Sequence, residues 1–216
     1  MPSSHHLQIN EIVDLIIFTN PKSILDIGVG NGKYGFLSRE YLEITGTGTY
    51  GTKERRIDGV EVFPHYITPL HKEIYSNIYI GNAMDIVPKL DMKYDLILMI
   101  DVFEHFTCED GKILLGNCLQ KGRNVIISVP KGSNEQGEIY DNPYEEHKYE
   151  WSKKDFKSYP DIFFIDNIRS LIVYIGENSH QIYNNLIPKR NFRLLAVSAL
   201  NYFHLKKFVK KIIDGK

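Results

Sequence analysis

Two short stretches of this 216-residue chain concentrate the residue types that do chemistry. In "DVFEH", Asp101, Glu104 and His105 place two carboxylates and an imidazole almost side by side. In "NPYEEHKYEW", Glu146, His147, Tyr149 and Trp151 follow one another along a polar segment. A positioned imidazole or carboxylate can take the proton of a hydroxyl nucleophile. His147 is the candidate general base, with His105 and Glu104 as further catalytic candidates. Tyr149 and Trp151 are candidates to wall an acceptor pocket. Asp101, Glu104, His105 and His147 are also a donor set of the kind that holds a divalent metal. The plainer alternatives are a His105 bonded to backbone at a helix start and a Trp151 packed in the core beneath its loop.

A third stretch, "ILDIGVGNGKYG" (24–35), passes from an apolar run through an acid into four glycines. It reads as a strand turning sharply into a helix, with a ligand against the turn. A phosphate-binding loop needs Ser or Thr after its lysine, but Tyr34 follows Lys33. Gly30, Gly32 and Gly35 do satisfy G-x-G-x-x-G, the dinucleotide pattern. That pattern also wants an acid about 20 residues on, and Glu61 lies farther along. Asp26 is the stronger objection, because a carboxylate at the strand's end repels a pyrophosphate and suits a cation.

These residues need a frame. Ile9, Ile12, Val13 and Ile16 keep helical spacing, and Asn20 and Pro21 stop that helix. "SILDI", "IDGVEV", "NIYIG", "YDLILMI" and "NVIISV" read as five strands. Helices are expected in between: one with Tyr34, Leu37 and Tyr41 on one face, one from Pro64 to Tyr75, and one from Asp110 to Leu119. The apolar "YDLILMI" suits a strand buried on both faces. A short helix is expected to start at Ser152, with Asp155 three residues on as its capping partner. "DIFFID" and "SLIVYIG" are too close for a crossover helix, so they read as an antiparallel hairpin.

Asp26-Ile27-Gly28-Val29-Gly30-Asn31-Gly32 resembles the D-x-G-x-G-x-G signature of the class I S-adenosylmethionine-dependent methyltransferases. Three further motifs follow in the family's order. Glu61 stands where the family places the acid for the ribose hydroxyls, "GNAMD" (81–85) resembles the adenine segment, and "YDLILMIDVFEHF" resembles the fourth-strand motif. The resemblance implies an α/β, Rossmann-like fold: a seven-stranded, mostly parallel sheet with an antiparallel terminal hairpin and helices on both faces. It implies S-adenosyl-L-methionine as cofactor, bound by Asp26, Gly28, Gly30, Gly32, Glu61, Asn82, Ala83 and Asp101. Asn82 replaces the family's usual Asp; its side-chain oxygen can still accept from an adenine amino group, or the contact shifts to Asp85. The expected activity is methyl transfer to a hydroxyl oxygen of a small molecule or glycan. "DVFEH" with "HKYEW" also resembles the Hen1-type RNA 2′-O-methyltransferases, which makes metal-assisted methylation of RNA the alternative. An NAD-dependent oxidoreductase and a non-catalytic cofactor-binding subunit are the rivals of other classes.

Composition sets the outer limits. Hydrophobic residues are 43% and charged residues 25% of the chain, an ordinary globular balance. A net charge of −1 gives no global attraction to nucleic acid or anionic lipid. No apolar run is long enough to span a bilayer and no secretory signal opens the chain, so a cytoplasmic protein is expected. Cys108 and Cys118 have no metal-site spacing and read as reduced, buried, structural thiols. Lys53, Arg55 and Arg56 are either solvated or available to a phosphate or an acidic sugar. The methyltransferase domain is placed at 1–176. A basic extension is placed at 177–216, where Leu205, Phe208, Val209 and Ile212 keep helical spacing; it is read as a terminal helix with a solvated lysine face rather than a membrane or partner surface.

Overall fold

A computed structural model describes residues 4–44, 53–132, 136–137 and 142–188. Seven strands form one sheet: β1 (Ser23–Ile27), β2 (Arg56–Glu61), β3 (Asn77–Ile80), β4 (Leu96–Ile100), β5 (Asn124–Pro130), β6 (Ile162–Asp166) and β7 (Ser170–Gly176), in the order β3-β2-β1-β4-β5-β7-β6. The first five pair in parallel, and β7 runs antiparallel to both β5 and β6. The hairpin read from sequence is therefore present. Its tight turn is made by Asn167, whose backbone N–H donates to Ser170 O at 3.0 Å and whose Oδ1 accepts from Arg169 N at 3.0 Å.

Hydrophobicity explains the centre of the sheet. All of β4 is buried, and Leu96, Ile97, Leu98, Met99, Val125, Ile126 and Ile127 are fully inaccessible, as strands covered on both faces require. Helix α1 (Ile9–Thr19) precedes β1, α2 (Lys33–Arg39), α3 (Pro69–Ile74), α4 (Ala83–Ile86) and α5 (Cys108–Lys121) link the parallel strands, and α6 (Lys153–Phe156) lies between β5 and the hairpin. Asn20, at φ 48°, closes α1 in the left-handed conformation, next to the proline that stops it. Asp155 caps the start of α6, its Oδ2 accepting from both Ser152 N and Ser152 Oγ at 2.8 Å.

Three expectations are corrected. The segment 64–75 is not one helix. A 3-10 turn at Pro64–Tyr66 precedes α3, because Thr68, before Pro69, is held extended. Helix α5 runs longer than expected at both ends, since Thr107 Oγ1 accepts from Asp110 N at 3.1 Å and caps it early. Tyr41 does not share a buried face with Tyr34: a π-turn at Glu40–Ile44 rotates the chain, leaving Tyr41 exposed and Leu42 buried. Cysteine burial also divides. Cys118 is buried, 4.0 Å from Met99 Sδ, while Cys108 is half-buried at the start of α5.

The chain divides into two units, Met1–His180 and Gln181–Lys216. A helix, α7, spans 179–188, and the remaining basic segment with its Leu205-to-Ile212 stripe lies outside the described residues. No helix among the described residues is long and apolar enough to cross a membrane.

This topology positions the site. β1 lies beside the central strand β4, and the chain moves outward from β1 through β2 to β3 before returning to β4 on the other side of β1. The carboxyl ends of β1 and β4 therefore flank a topological switch point, where open α/β sheets leave a crevice for a ligand.

Candidate functional site

A cavity of about 830 Å³ opens at that edge, lined from the turn after β1, the ends of β2 and β4, and the segment after β5. The turn reaches so close because it is glycine. Gly28, Gly30 and Gly32 have φ of 74°, 50° and 77°, a left-handed region that costs other residues about 1–2 kcal/mol. Space is also lacking at Gly28, where a Cβ would lie 2.3 Å from Val102 Cγ2. Gly28→Ala is accordingly expected to cost about 3 kcal/mol, strain and overpacking together. Val102→Ala in the same chain should recover the steric part alone, leaving about 1–2 kcal/mol in urea unfolding.

Two buried acids underlie the turn. Glu61 accepts backbone N–H groups from Gly30 at 3.2 Å and Phe63 at 2.9 Å. Burial raises its carboxyl, and those two N–H donors work against the rise. It lines the cavity with lone pairs to spare, as an acceptor for a pair of hydroxyls must. Asp26 is buried, and its Oδ2 accepts the Tyr75 hydroxyl at 2.6 Å. Burial pushes its carboxyl up to about 7, with the nearby Glu61 adding to the rise. Asp26 is thus not a fixed anion at neutral pH; its charge depends on what sits above it.

The residues that brace this turn went unnoticed in the sequence. His71, buried in α3, accepts from Thr68 N at Nδ1 (3.1 Å), so Nε2 carries the hydrogen and donates to Gly30 O at 2.8 Å. A Cβ on Gly35 would lie 2.5 Å from the Tyr75 ring, so Gly35 serves this packing and not a pyrophosphate. A glycine facing an aromatic some 40 residues on leaves no local signal.

Along the rim, Asn82 and Ala83 line the cavity, but Asn82 Oδ1 already accepts from Met84 N at 2.9 Å as the cap of α4. One lone pair remains for an adenine amino group. Asp101 sits just past β4 at φ 53°. Its Oδ2 accepts from Gln8 Nε2 at 2.6 Å, and Ser128 Oγ lies 3.1 Å from Oδ1. Gln8, fully buried, also accepts from the Ser128 hydroxyl. The segment before α1 is therefore part of the site wall.

On the acceptor side, Glu104, His105 and His147 converge: one ligating atom of each lies within 4.8 Å of the others. Asp101 is not part of this group, because Gln8 and Ser128 engage its carboxylate. Glu104 is buried, with Oε2 lacking any hydrogen-bond partner, and burial holds its carboxyl well above the usual range. Its backbone carbonyl receives Lys148 N at 2.8 Å, tying "HKYEW" to "DVFEH". His105 Nδ1 lies 3.1 Å from the Glu146 carbonyl, which can only accept. The hydrogen is on Nδ1, and Nε2 presents a lone pair.

Tyr149 and Trp151 do not line the cavity. Trp151 is buried against Phe103 and Phe156, with Nε1 donating to Phe103 O at 2.8 Å, and the Tyr149 hydroxyl donates to Asp155 at 3.1 Å. Phe106, Tyr144 and Glu145 line it instead. Arg55 and Arg56 are likewise spent away from the cavity. Arg55 bonds Asn20 Oδ1 at 2.8 Å and the Pro21 carbonyl, and Arg56 pairs with buried Asp58 at 2.8 Å. Lys53 lies 3.7 Å from Glu73 on the surface.

No family model matches the chain. A small RNA 2′-O-methyltransferase from Tetrahymena thermophila is 25% identical over 158 residues, covering 64% of this chain. The chain spans only 36% of that relative's length. The methyltransferase domain of the bacterial CtHen1 superposes with a TM-score of 0.54 at 17% identity, covering 79% of this chain and 98% of its own. An S-adenosylmethionine-dependent methyltransferase from Archaeoglobus fulgidus gives 0.55 at 16% identity, covering 77% and 94%. This is a class I methyltransferase fold. The dinucleotide-binding alternative for the opening turn is set aside with it. Gly28, Gly30, Glu61, Asn82, Ala83 and Asp101 line this cavity together with Glu104, His105 and His147, whereas Gly32 does not, packing instead towards Ile74.

Proposed function

We propose that this protein is an S-adenosylmethionine-dependent O-methyltransferase that acts, with a divalent cation, on a ribose hydroxyl of RNA. The convergence of Glu104, His105 and His147 carries this reading. It shifts preference away from the small-molecule or glycan hydroxyl favoured by sequence and toward the metal-assisted alternative. The curated relative that acts on small RNA supports the same choice.

The residues fit a cation. A buried carboxylate oxygen without a partner is costly to leave bare, and Glu104 Oε2 is one. His105 offers Nε2 because Nδ1–H is anchored to a backbone carbonyl, the arrangement that orients metal-binding histidines. One carboxylate oxygen and two imidazole nitrogens form a mixed donor set for a first-row divalent ion, and Mn²⁺, which the carboxylate suits, is the ion used in the test. Such an ion, when bound, supplies Lewis acidity that makes a coordinated hydroxyl a better nucleophile at neutral pH.

The residues also fit S-adenosylmethionine, which supplies a methyl group already activated on a sulfonium. Glu61 receives the cofactor's ribose hydroxyls, Asn82 and Ala83 meet its adenine, and the Gly28–Gly32 turn admits its methionine portion. What remains for the protein is to hold the acceptor oxygen in line and keep water out. With His105 and His147 holding the cation, their lone pairs are taken up by it, and the acceptor's hydroxyl proton would pass to water.

The test uses the full chain, radiolabelled S-adenosylmethionine and a short synthetic RNA. Transfer should vanish with EDTA and return with Mn²⁺. An oligonucleotide of the same sequence lacking every 2′-hydroxyl should accept no label. Undiminished transfer in EDTA would remove the metal, and labelling of the deoxy oligonucleotide would remove the ribose. A second, metal-free reading has His147 act directly as base on a small-molecule or glycan hydroxyl. His147 lines the cavity beside His105, and EDTA-resistant transfer to such an acceptor would select this reading.

A further inference from the structure

The segment 142–148 carries three different chemistries within a few residues: the Tyr144 ring, the His147 imidazole and the Lys148 ammonium. All three residues line the cavity. The backbone beneath them is held at both ends. Asn142, 1% exposed, accepts from Tyr144 N at 3.0 Å and donates to the Tyr66 hydroxyl at 3.1 Å. Glu145 accepts from the same Tyr66 hydroxyl at 3.2 Å. At the other end, Lys148 N donates to Glu104 O at 2.8 Å. Tyr144 is nonetheless 47% exposed, and no ring packs on it among the described residues. Lys148 is exposed and enters no ion pair among the described residues. A single exposed aromatic is ordinary on a surface. One held on the wall of a cavity with its face bare is a stacking platform.

We infer that the segment 142–148 reads one nucleotide of the RNA acceptor, Tyr144 stacking on its base and Lys148 pairing with its phosphate. The inference rests on the RNA reading above and adds two specificity-determining residues to it. A nucleotide presents a flat base, a ribose hydroxyl and an anion. The segment presents a ring, a member of the Glu104–His105–His147 group and a cation, in that chain order. Every base has a π-face, so Tyr144 selects for a nucleotide and not for a sequence. The chain's net charge of −1 gives no general attraction to a polyanion. A cation that recruits RNA must therefore act locally, and Lys148 follows His147 directly. A lysine serves there as a point charge for phosphate.

Competition against RNA labelling tests this, with S-adenosylmethionine and Mn²⁺ saturating. Uridine 5′-monophosphate and ribose 5-phosphate share sugar and phosphate and differ by the base. The nucleotide should inhibit the wild-type chain about tenfold more tightly. Tyr144→Ala should erase that preference and raise the KM for RNA by a similar factor, and Tyr144→Trp should restore both. Lys148→Met should flatten the slope of log KM against log KCl concentration by about 0.7 and keep the base preference. Unchanged affinity for S-adenosylmethionine shows that each variant is folded. A preference that survives Tyr144→Ala, or a wild-type ratio near one, overturns the stacking. An unchanged salt slope in Lys148→Met overturns the phosphate contact. Weaker S-adenosylmethionine binding by Tyr144→Ala would put the ring against the cofactor and overturn the inference as well. A wild-type chain that binds S-adenosylmethionine yet labels no RNA overturns the function proposed above, a different result from these.

Discussion

Glu104→Gln is expected to lower kcat about 10³-fold and to leave the affinity for S-adenosylmethionine unchanged. Both halves follow from position. Glu104 is buried within reach of His105 and His147, and it is not among the residues proposed above to hold the cofactor. Glutamine keeps the shape and removes the anion, so a cation loses its one charged ligand. Wild-type protein should be stabilised by Mn²⁺ in a thermal melt through simple linkage, and the Gln variant should not. His147→Ala should share the kinetic defect and spare cofactor binding. Normal turnover in Glu104→Gln would detach this triad from the chemistry.

Asp26→Asn should do the opposite to stability and to binding. An acid with an ordinary value of 3.8 that is pushed up to about 7 by burial binds its proton more tightly folded than unfolded. Its stabilising contribution is complete below about pH 4 and is lost as pH rises toward and through 7. Between pH 5.5 and 8 this single group should withdraw about 2 kcal/mol from the wild-type protein, a loss the Asn variant does not suffer. Urea unfolding of both proteins at the two pH values measures the difference directly, because other titrating groups cancel. The cofactor is cationic at its sulfonium and ammonium, so a charged Asp26 should favour it. Wild-type affinity should therefore rise from pH 6 to pH 8, by less than about tenfold per unit. The variant should bind at least about tenfold more weakly at pH 8, with that slope gone. A flat profile in both proteins would mean that Asp26 is only an anchor for Tyr75.

The sequence made the fold legible because the fold's determinants are local. Apolar runs of strand length, the three-residue turn of the last hairpin, and the Ser152–Asp155 cap all act within a few residues. The glycine turn was legible for a related reason, since the positive φ at Gly28, Gly30 and Gly32 is a conformation that glycine takes at no steric cost. What escaped notice acts over distance. Gln8 reaches Asp101 and Ser128, His71 reaches Gly30, and Tyr75 reaches Asp26, across 41 to 120 positions. Asp101 looked like a metal ligand because spacing cannot show that a glutamine far upstream engages it. For Trp151 the plainer of the two sequence readings holds: it packs in the core beneath its loop, with Nε1 bonded to Phe103 O, and does not wall the pocket. The π-turn that exposes Tyr41 likewise depends on surroundings that a helical wheel ignores.

The two thiols differ in a way that makes the chain its own clock. Cys118 is sealed against Met99 beneath α5, and burial pushes its thiol up to about 12, whereas Cys108 is half-buried at that helix's first turn. An alkylating reagent at mild alkalinity meets a thiolate at Cys118 only in the moments when α5 lifts from the sheet. The rate of that second alkylation counts those openings in a protein left otherwise native. The helix concerned begins directly behind the Glu104–His105 corner, so a tenant in the acceptor half of the cavity would be heard as a slowing of the count.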